Sequence, residues 1–336
     1  MGAGGRPVMT RRPLLSRVAD SVYWMGRYIE RAENVARFVD VNLHLMLGGP
    51  SVDMSQQWQP IIDTTGDSEE FEKRYGDATR ENVIEFLTFD PENPNSILSC
   101  LRAARENART VRDTISSEMW EQANKMYLAI TDEGARDRAA HSAHELFASI
   151  KLGSHLFQGI TDSTMSHNEA WNFLWLGRML ERADKTSRMI DVKYFLLLPK
   201  VEDVGTTIDD VQWSAVLRSV SAFEMYRKRF GRIQPDRIAE FLLLDGEFPR
   251  SVRHCLVESG VALHAITGTP LGGFSNPAEQ RLGQLRAELN YASVADIIAG
   301  GLHEFLDGLQ TKLNLIDECV HSTFFAMRPL SDAASV

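Results

Sequence analysis

Arginine and glutamate side chains recur at helical spacing in two segments of the chain, and these residue types can do chemistry together. A guanidinium forms paired hydrogen bonds with a carboxylate, and a carboxylate can also transfer protons. The residues are the glutamates Glu30 and Glu181 and the arginines Arg27, Arg31, Arg37, Arg178, Arg182 and Arg188. Arg31 and Arg182 are expected on the flank of the polar side of their helices, and the others near its centre.

Two interpretations of this polar stripe are open. In the first, the stripe is a structural network in which Arg27–Glu30 and Glu30–Arg37 pairs join two helices. In the second, it is a polar cleft in which Glu30 and Glu181 are the candidate catalytic or ligand-binding groups. A merely solvated face would drift between duplicated copies, whereas here the arginine and glutamate types stay in register. The stripe is therefore expected to contact either another helix or a ligand.

The two segments belong to an internal duplication. Residues 24–41 and 175–192 are identical at nine of eighteen positions, and residues 85–101 and 240–256 at nine of seventeen. The offset between matched residues grows along the chain from 151 to 155 and then 159, as insertions in loops between fixed helices would produce. We predict two pseudo-two-fold related halves, residues 14–164 and 165–325, with a disordered leader at 1–13 and a flexible tail at 326–336.

A second basic feature is present in only one half. Four arginines follow an i, i+3, i+4, i+3 pattern on the helix predicted after Cys100, namely Arg102, Arg105, Arg109 and Arg112. None of the four corresponding positions of the second half holds an arginine. In a chain of net charge −10, such a ridge could hold a phosphate, a carboxylate or an acidic partner. The alternative is a solvated helix face neutralised by neighbouring acidic residues.

The sequence contains no standard metal, cofactor or nucleophile motif. His141, His144 and Glu145 have a spacing that can ligate a metal, but the paired Glu-x-x-His set of a di-iron bundle is missing. The motifs of dinucleotide-binding, Walker A, C-x-x-C and nucleophile-elbow sites are also missing. We therefore predict no metal and no cofactor. Cys100 and Cys255, which correspond in the two halves, are predicted to be small buried apolar residues.

Composition and charge exclude further classes of function. A net charge of −10 argues against a sequence-independent nucleic-acid binder. No apolar run approaches the roughly 18 residues that cross a bilayer, so no membrane partner is predicted. Residues 1–13 lack the apolar stretch of a secretory signal, and the three cysteines show no pairing pattern. The sequence thus predicts a reduced, cytoplasmic protein.

The elements that would position these residues are helices. Apolar residues repeat with helical period over residues 14–47 and 168–198, and no run alternates with period two for more than a few residues. Proline and glycine predict loops at 90–94, 245–249 and 267–277, with Ser96 and Ser251 near the caps of the helices that follow the first two. Further helices are predicted around Trp58 and at 96–131, 134–161, 279–290 and 293–325. The predicted fold class is all-α, with helices in layers or a bundle.

The chain resembles the bacterial alpha-E domain family. The resemblance rests on L-L-S-R-V-A-D-S-V-Y-W-M-G-R-Y-I-E-R-A-E-N-V-A-R at residues 14–37 and W-L-G-R-M-L-E-R-A-D at 175–184. Residues 104–121, 240–256 and 278–289 add to it, so it covers nearly the whole chain. It implies an all-helical fold. Family members are typically encoded beside, or fused to, a circularly permuted ATP-grasp amidoligase, often with a transglutaminase-like protease.

The resemblance implies a part in bacterial peptide synthesis or modification, and two roles in it remain open. The first is a non-catalytic binding or scaffold subunit that docks the ATP-grasp ligase and presents its peptide substrate. The second is an enzyme that acts on the ligase's peptide substrate or product through Glu30 and Glu181. Because the sequence offers neither a nucleophile motif nor a metal set, the first role is favoured.

Overall fold

The computed structural model describes residues 14–46, 54–196 and 207–326, and every regular element in these ranges is helical. The predicted all-α fold class is confirmed. None of the helices within the described ranges combines the length and the apolar character needed to cross a membrane. The predicted leader, and the predicted tail beyond residue 326, lie outside the described residues.

The helices of the described ranges run as follows in chain order. In the first half of the chain they are α1 (Ser16–Met46), α2 (Met54–Thr65), α3 (Ser68–Tyr75), α4 (Arg80–Ile84), α5 (Ile97–Thr110), α6 (Ser117–Thr131), α7 (Ala135–His141) and α8 (Ala143–Thr164). In the second half they are α9 (Glu169–Leu196), α10 (Thr207–Ser219), α11 (Phe223–Phe230), α12 (Pro235–Leu244), α13 (Val252–Thr267), α14 (Pro277–Tyr291), α15 (Val294–Gly300) and α16 (Leu302–Val320). Two π-helical segments, Glu85–Phe89 and His321–Phe325, extend α4 and α16.

The long helices α1 and α9 lie at the centre of the fold and pack against each other. Helices α5 and α8 flank α1, and α13 and α16 flank α9. The apolar stripes predicted for the two helices are buried, as Ile29 and Val39 show on α1 and Leu176 and Ile190 on α9. The polar side of each helix is also covered, because the flanking helices pack around it.

Backbone contact between α1 and α9 depends on two glycines. A Cβ atom added at Gly26 would lie closer than 3.0 Å to the carbonyl oxygen of Leu174, and one at Gly177 equally close to the carbonyl oxygen of Tyr23. Only a residue without a side chain allows such an approach. Because the helices cross closely at these glycines, the polar residues that lie one turn further along α1 face those that lie one turn further along α9.

Several predicted helices are interrupted in the structure. The helix predicted at 96–131 breaks between α5 and α6, where the hydroxyl of Ser116 accepts a hydrogen bond from the amide of Met119 and caps α6. The helix predicted at 293–325 breaks at Gly301, whose φ of 99° lies in the left-handed region that favours glycine. The predicted loops after Asp90 and Asp245 are confirmed, and each leads into a serine-capped helix.

The prediction for the two corresponding cysteines is confirmed. Cys100 and Cys255 are fully buried, and burial raises the pKa of each thiol to about 12. Each thiol donates a hydrogen bond to a proline carbonyl of the preceding loop, Pro94 or Pro249. They are packing residues that remain protonated at neutral pH.

Candidate functional site

Glu30 of α1 lies at the centre of one cluster of arginines and is 0% exposed. Arg182 of α9 grips it with two hydrogen bonds, from Nε to Oε1 at 2.9 Å and from Nη2 to Oε2 at 2.7 Å. The Nη1 of Arg250 donates to Oε1 at 3.0 Å, and Nε of Arg178 lies 3.5 Å from Oε2. One carboxylate therefore faces three guanidinium groups.

Glu181 of α9 is surrounded in the same manner and is also 0% exposed. Arg31 of α1 donates from Nε to Oε1 at 2.7 Å and from Nη2 to Oε2 at 3.0 Å. Arg27 donates from Nε to Oε2 at 2.9 Å, and the Nζ of Lys185 lies 3.7 Å from Oε1. Both glutamates thus have each oxygen occupied by an arginine of the other central helix.

The two clusters exchange partners between the helices. Glu30 pairs with Arg182 and Glu181 pairs with Arg31, so the arginines predicted on the flank are the principal partners. The predicted pairs Arg27–Glu30 and Glu30–Arg37 are wrong. Arg27 pairs with Glu181, while Glu30 takes its arginine partners from α9 and from the loop residue Arg250. The close crossing of the helices brings arginines of the opposite helix nearer to each glutamate than those of its own.

Arg37 and Arg188 occupy corresponding positions and pair locally. Arg37 donates from Nη2 to Oε1 of Glu33 at 2.6 Å, and Arg188 donates from Nε to Oδ2 of Asp184 at 3.0 Å. In each case the acid lies four residues earlier on the same helix, a spacing that places the two side chains on one face. These arginines therefore close the outer ends of the network rather than join α1 to α9.

Sequence reasoning missed Glu33. Its carboxylate is 0% exposed, and besides Arg37 it accepts hydrogen bonds from Ser154 Oγ at 2.6 Å and Gln158 Nε2 at 3.2 Å. His155 Nε2 lies 3.2 Å from Oε1. The available signal was its alignment with Asp184, an acid in register with an acid in the two segments. Glu33 links α1 to α8.

Arg250 was also missed, because it lies in the loop between α12 and α13 and not on a patterned helix. It reaches Glu30 and Glu33 together, and its Nη1 also donates to Asn34 Oδ1 at 3.1 Å. The residue that corresponds to it is Asn95, whose Oδ1 accepts from Arg31 Nη1 at 2.9 Å. Loop residues in corresponding positions therefore complete the clusters around Glu30 and Glu181.

Burial and ion pairing act in opposite directions on the glutamates. Burial favours the neutral acid, but the guanidiniums of Arg182 and Arg250 outweigh it and lower the pKa of Glu30 to about 2. Burial also favours the neutral form of Glu181, but the positive charges of Arg31 and Lys185 outweigh it. The pKa of Glu181 therefore lies well below its usual value. Both groups are ionised at neutral pH, and neither carries a proton that it could donate.

The arginine ridge occupies the outer surface of the fold. Arg102 and Arg109 are exposed on α5, whereas Arg105 is partly covered and donates from Nε to Asn124 Oδ1 at 2.7 Å. Glu106 pairs with both Arg105 at 2.8 Å and Arg109 at 2.7 Å. The ridge is thus partly neutralised by a single acid.

Arg112 does not lie on the helix predicted for it. Helix α5 ends at Thr110, and Arg112 lies in the turn that follows. Its guanidinium lies over the ring of Trp120, 5.0 Å from the ring centroid, while that of Arg105 lies 5.1 Å from the centroid of Tyr127. Aromatic side chains of α6 therefore hold two of the four arginines.

The histidines considered as metal ligands have other partners. His144 Nδ1 lies 2.7 Å from Asp40 Oδ1, and His141 Nδ1 lies 3.0 Å from the backbone oxygen of Asp137. Within the described ranges, no three or more His, Cys, Asp or Glu side chains are grouped so that they could hold a metal ion.

Three similar proteins come from mycobacteria. They are the uncharacterized proteins Mb2597 of Mycobacterium bovis and MT2643 and Rv2567 of Mycobacterium tuberculosis, each 23% identical over 337 residues. The match covers 93% of this chain but 37% of each relative, so the chain spans little more than a third of their length. No solved structure matches the chain.

A family profile matches nearly all of the chain. The Alpha-E profile, described as a predicted alpha-helical domain with a conserved ER motif, covers residues 14–325. The dipeptide Glu-Arg occurs twice in this chain, as Glu30-Arg31 and as Glu181-Arg182. These are the four residues that exchange partners between α1 and α9. The chain belongs to the Alpha-E family.

Proposed function

We propose that this chain is a non-catalytic binding or scaffold subunit that works with an ATP-grasp amidoligase in a bacterial peptide synthesis or modification system. The ligase and the peptide chemistry are inferred from the family resemblance. One observation supports the scaffold role: the residues of both Glu-Arg dipeptides form reciprocal ion pairs that hold α1 against α9.

The chemistry of the two glutamates supports this role. A general acid at neutral pH needs a raised pKa and access to substrate, whereas these carboxylates have lowered pKa values and no exposed surface. A substrate that approached either one would first have to displace a doubly bonded guanidinium, Arg182 from Glu30 or Arg31 from Glu181. Such charge-assisted forks are about twice as strong as hydrogen bonds between neutral groups.

The enzymatic alternative has one observation in its favour. Glu30 borders a small pocket between α1, α8 and α9, which is also lined by Gln158, Trp175 and Arg178. If this pocket bound substrate, Glu30 and Asp162 would be the acids on its wall. The alternative therefore predicts that a variant that lacks the Glu30 carboxylate loses turnover even while it stays folded.

We also infer that the two halves of the chain are related by an approximate two-fold axis. Corresponding contacts recur in pairs: each of the two glycines faces a carbonyl of the other helix, and Ser96 and Ser251 each donate to the backbone oxygen of a preceding aspartate, Asp90 or Asp245. An experimental structure in which residues 14–164 do not superpose on residues 165–325 would refute this relation.

The docking surface proposed for the ligase is the arginine ridge. Arg102, Arg105 and Arg109 belong to one half only, and the Arg109 side chain is 63% exposed. The ridge would meet an acidic surface or a phosphate-bearing ligand of the ligase. The mycobacterial relatives are longer than this chain, which leaves room for a partner domain in the same polypeptide. A transglutaminase-like protease is a further proposed partner.

The test is reconstitution with the ATP-grasp amidoligase encoded in the same genome. We expect the two proteins to copurify, and the ligase to form more product with this chain than without it. Glu30→Gln, assayed well below its melting midpoint, should support the same product formation as the wild type. Loss of turnover in a folded Glu30→Gln variant would favour the enzyme instead, and failure to copurify would refute the partnership.

A further inference from the structure

Arg286 of α14 is a partly buried arginine without a counter-ion among the described residues. Its side chain lies across Gly260 of α13, where a Cβ atom added to the glycine would be 2.8 Å from the guanidinium carbon. Its Nε is buried, and no hydrogen bond or ion pair joins the side chain to another described residue. Burial lowers the pKa of Arg286, and no carboxylate in the described ranges offsets this effect. An anion from outside would therefore stabilise this cation.

The two acids of α14 have partners other than Arg286. The carboxylate of Glu279 accepts hydrogen bonds from Thr267 and Ser275, which flank the loop before the helix. Glu288 lies on another face of α14 and pairs with Lys312 of α16 at 2.6 Å. The α13–α14 groove, in which the guanidinium lies over Gly260, therefore contains a cation that neither of these acids neutralises.

A second arginine lies along the same groove. Arg253 of α13 donates from Nε to Oδ1 of Asn290 at 2.9 Å and from Nη1 to the backbone oxygen of Leu244 at 3.2 Å. Both acceptors are neutral, and Arg253 forms no ion pair with any residue that the structure describes. Asn290 follows Arg286 by about one helical turn, or about 6 Å along α14. The groove thus holds two arginines about one turn apart, and neither has a carboxylate partner within the described part of the chain.

The first half of the chain neutralises its own arginine at the equivalent place. Arg105, in the groove between α5 and α6, pairs with Glu106 at 2.8 Å and donates to Asn124 at 2.7 Å. In the second half, the positions of these two partners hold Val261 and Gly283, at offsets of 155 and 159. Neither residue has a side-chain atom that accepts a hydrogen bond from a guanidinium. The second half therefore lacks both acceptors, and a bound molecule would have to supply them.

The α14 side of the groove is open to an approaching molecule. A Cβ atom added at Gly283 would meet nothing within 4 Å, and both Gly283 and Ala287 are exposed. Such small residues allow another helix to approach the backbone of α14 closely. Next to Asn290, the side chain of Tyr291 is 91% exposed. Tyrosine and arginine are the residue types that often contribute most to binding at protein interfaces.

We propose that the α13–α14 groove binds an acidic helical segment of a partner protein, two of whose carboxylates pair with Arg253 and Arg286. Acids at i and i+4 of a helix lie on one face and about one turn apart, which matches the spacing of the two arginines. A groove between two helices is also a surface on which a further helix can lie. The arginine ridge lies on α5, so this surface is distinct from the one proposed for the ligase, and the inference does not depend on that function.

The test is fluorescence anisotropy of labelled peptides with the full chain at about 0.15 M salt, where a Debye length of about 8 Å screens the net charge of −10. The probe is a capped, alanine-rich helical peptide with two glutamates at i and i+4. One control peptide has glutamines instead, and another has its glutamates at i and i+2, which share a face only in an extended chain. We expect saturable binding of the first peptide and at least about tenfold weaker binding of both controls. Equal binding of either control, absence of saturable binding, or displacement of the peptide by millimolar inorganic phosphate would each overturn the proposal.

Variants of α14 locate the contact. Gly283→Glu places an internal carboxylate three residues before Arg286 and should weaken binding of the acidic peptide by about tenfold or more. Gly283→Gln, which has the same length without the charge, is the matched control and should bind within about twofold of the wild type. Arg286→Gln should also weaken binding by about tenfold or more. Arg281→Gln removes an exposed arginine from another face of the same helix and should change binding by less than about twofold.

These variants can also overturn the proposal. A Gly283→Glu or Arg286→Gln chain that binds like the wild type would place the peptide elsewhere. Equal losses in Arg281→Gln and Arg286→Gln would mean that only the net charge matters, and the proposal would be wrong. Arg286→Gln should melt no lower than the wild type, because it removes a cation without a counter-ion. If it unfolds, Gly283→Glu and Gly283→Gln decide alone, since a side chain at this position enters open space.

Discussion

Replacement of Glu30 by glutamine tests whether the reciprocal pairs hold the fold together. The change keeps the shape of the side chain but removes a charge that three guanidiniums share. Removal of one partner from a buried ion pair costs about 3–5 kcal/mol, because the remaining charge is left without compensation. For a chain of 336 residues, this loss corresponds to a melting point lower by about 4–7 °C.

The assay is thermal and urea unfolding followed by circular dichroism, with Glu106→Gln as the matched control. Glu106 also pairs with two arginines, but its side chain is 42% exposed, so its loss should change the unfolding free energy by no more than about 0.5 kcal/mol. If Glu30→Gln melts at the same temperature as this control, the central pairs do not stabilise the fold. Addition of Arg182→Gln to Glu30→Gln should recover part of the loss, and a further loss of the full single-variant size would contradict the pairing.

Three further predictions concern the helix crossing, the loss of stability at low pH and the arginine ridge. Gly26→Ala should lower the unfolding free energy by at least about 2 kcal/mol in urea melts, because its Cβ would meet a backbone carbonyl; a neutral result would mean that the helices separate freely. The pKa values of the buried glutamates Glu30, Glu33 and Glu181 are lowered, so their stabilisation is complete above about pH 5 and is lost as pH falls toward 2. Equal stability at pH 3 and pH 7 would contradict this. The double variant Arg105→Ala/Arg109→Ala should bind the ligase more weakly, and its binding should depend less on salt. Its unfolding free energy should stay within about 1 kcal/mol of the wild-type value. Normal binding at low salt would show that the ridge is only a solvated helix face.

Much of the fold follows from local sequence signals. The periods of α1 and α9, the proline and glycine loops and the capping serines Ser96 and Ser251 are each set by a few neighbouring residues, and these predictions hold. The breaks at Ser116 and Gly301 were missed although each has a local signal, because Ser116 is a capping residue and Gly300-Gly301 is a helix-breaking pair.

The members of the central network could be predicted, but their partners could not. Repetition of the arginine and glutamate types in register identified the polar stripe from sequence alone. The pairing depends on the distance and angle at which α1 and α9 cross, which two glycines set through contacts with the opposite backbone. Arg250 was not predicted for a related reason. A loop residue is not part of a helical repeat, and only the folded chain brings it beside Glu30.

The exchange of partners makes each Glu-Arg dipeptide self-complementary. Each half of the chain offers one acid and one base, and each needs the base and the acid of a second, similar half. A fragment of residues 14–164 retains α1 but leaves Glu30 without Arg182 and Arg31 without Glu181. A second copy of that fragment carries the same dipeptide and would satisfy both. The same dipeptide on two helices is therefore sufficient to pair them, whether the helices belong to one chain or to two copies of it.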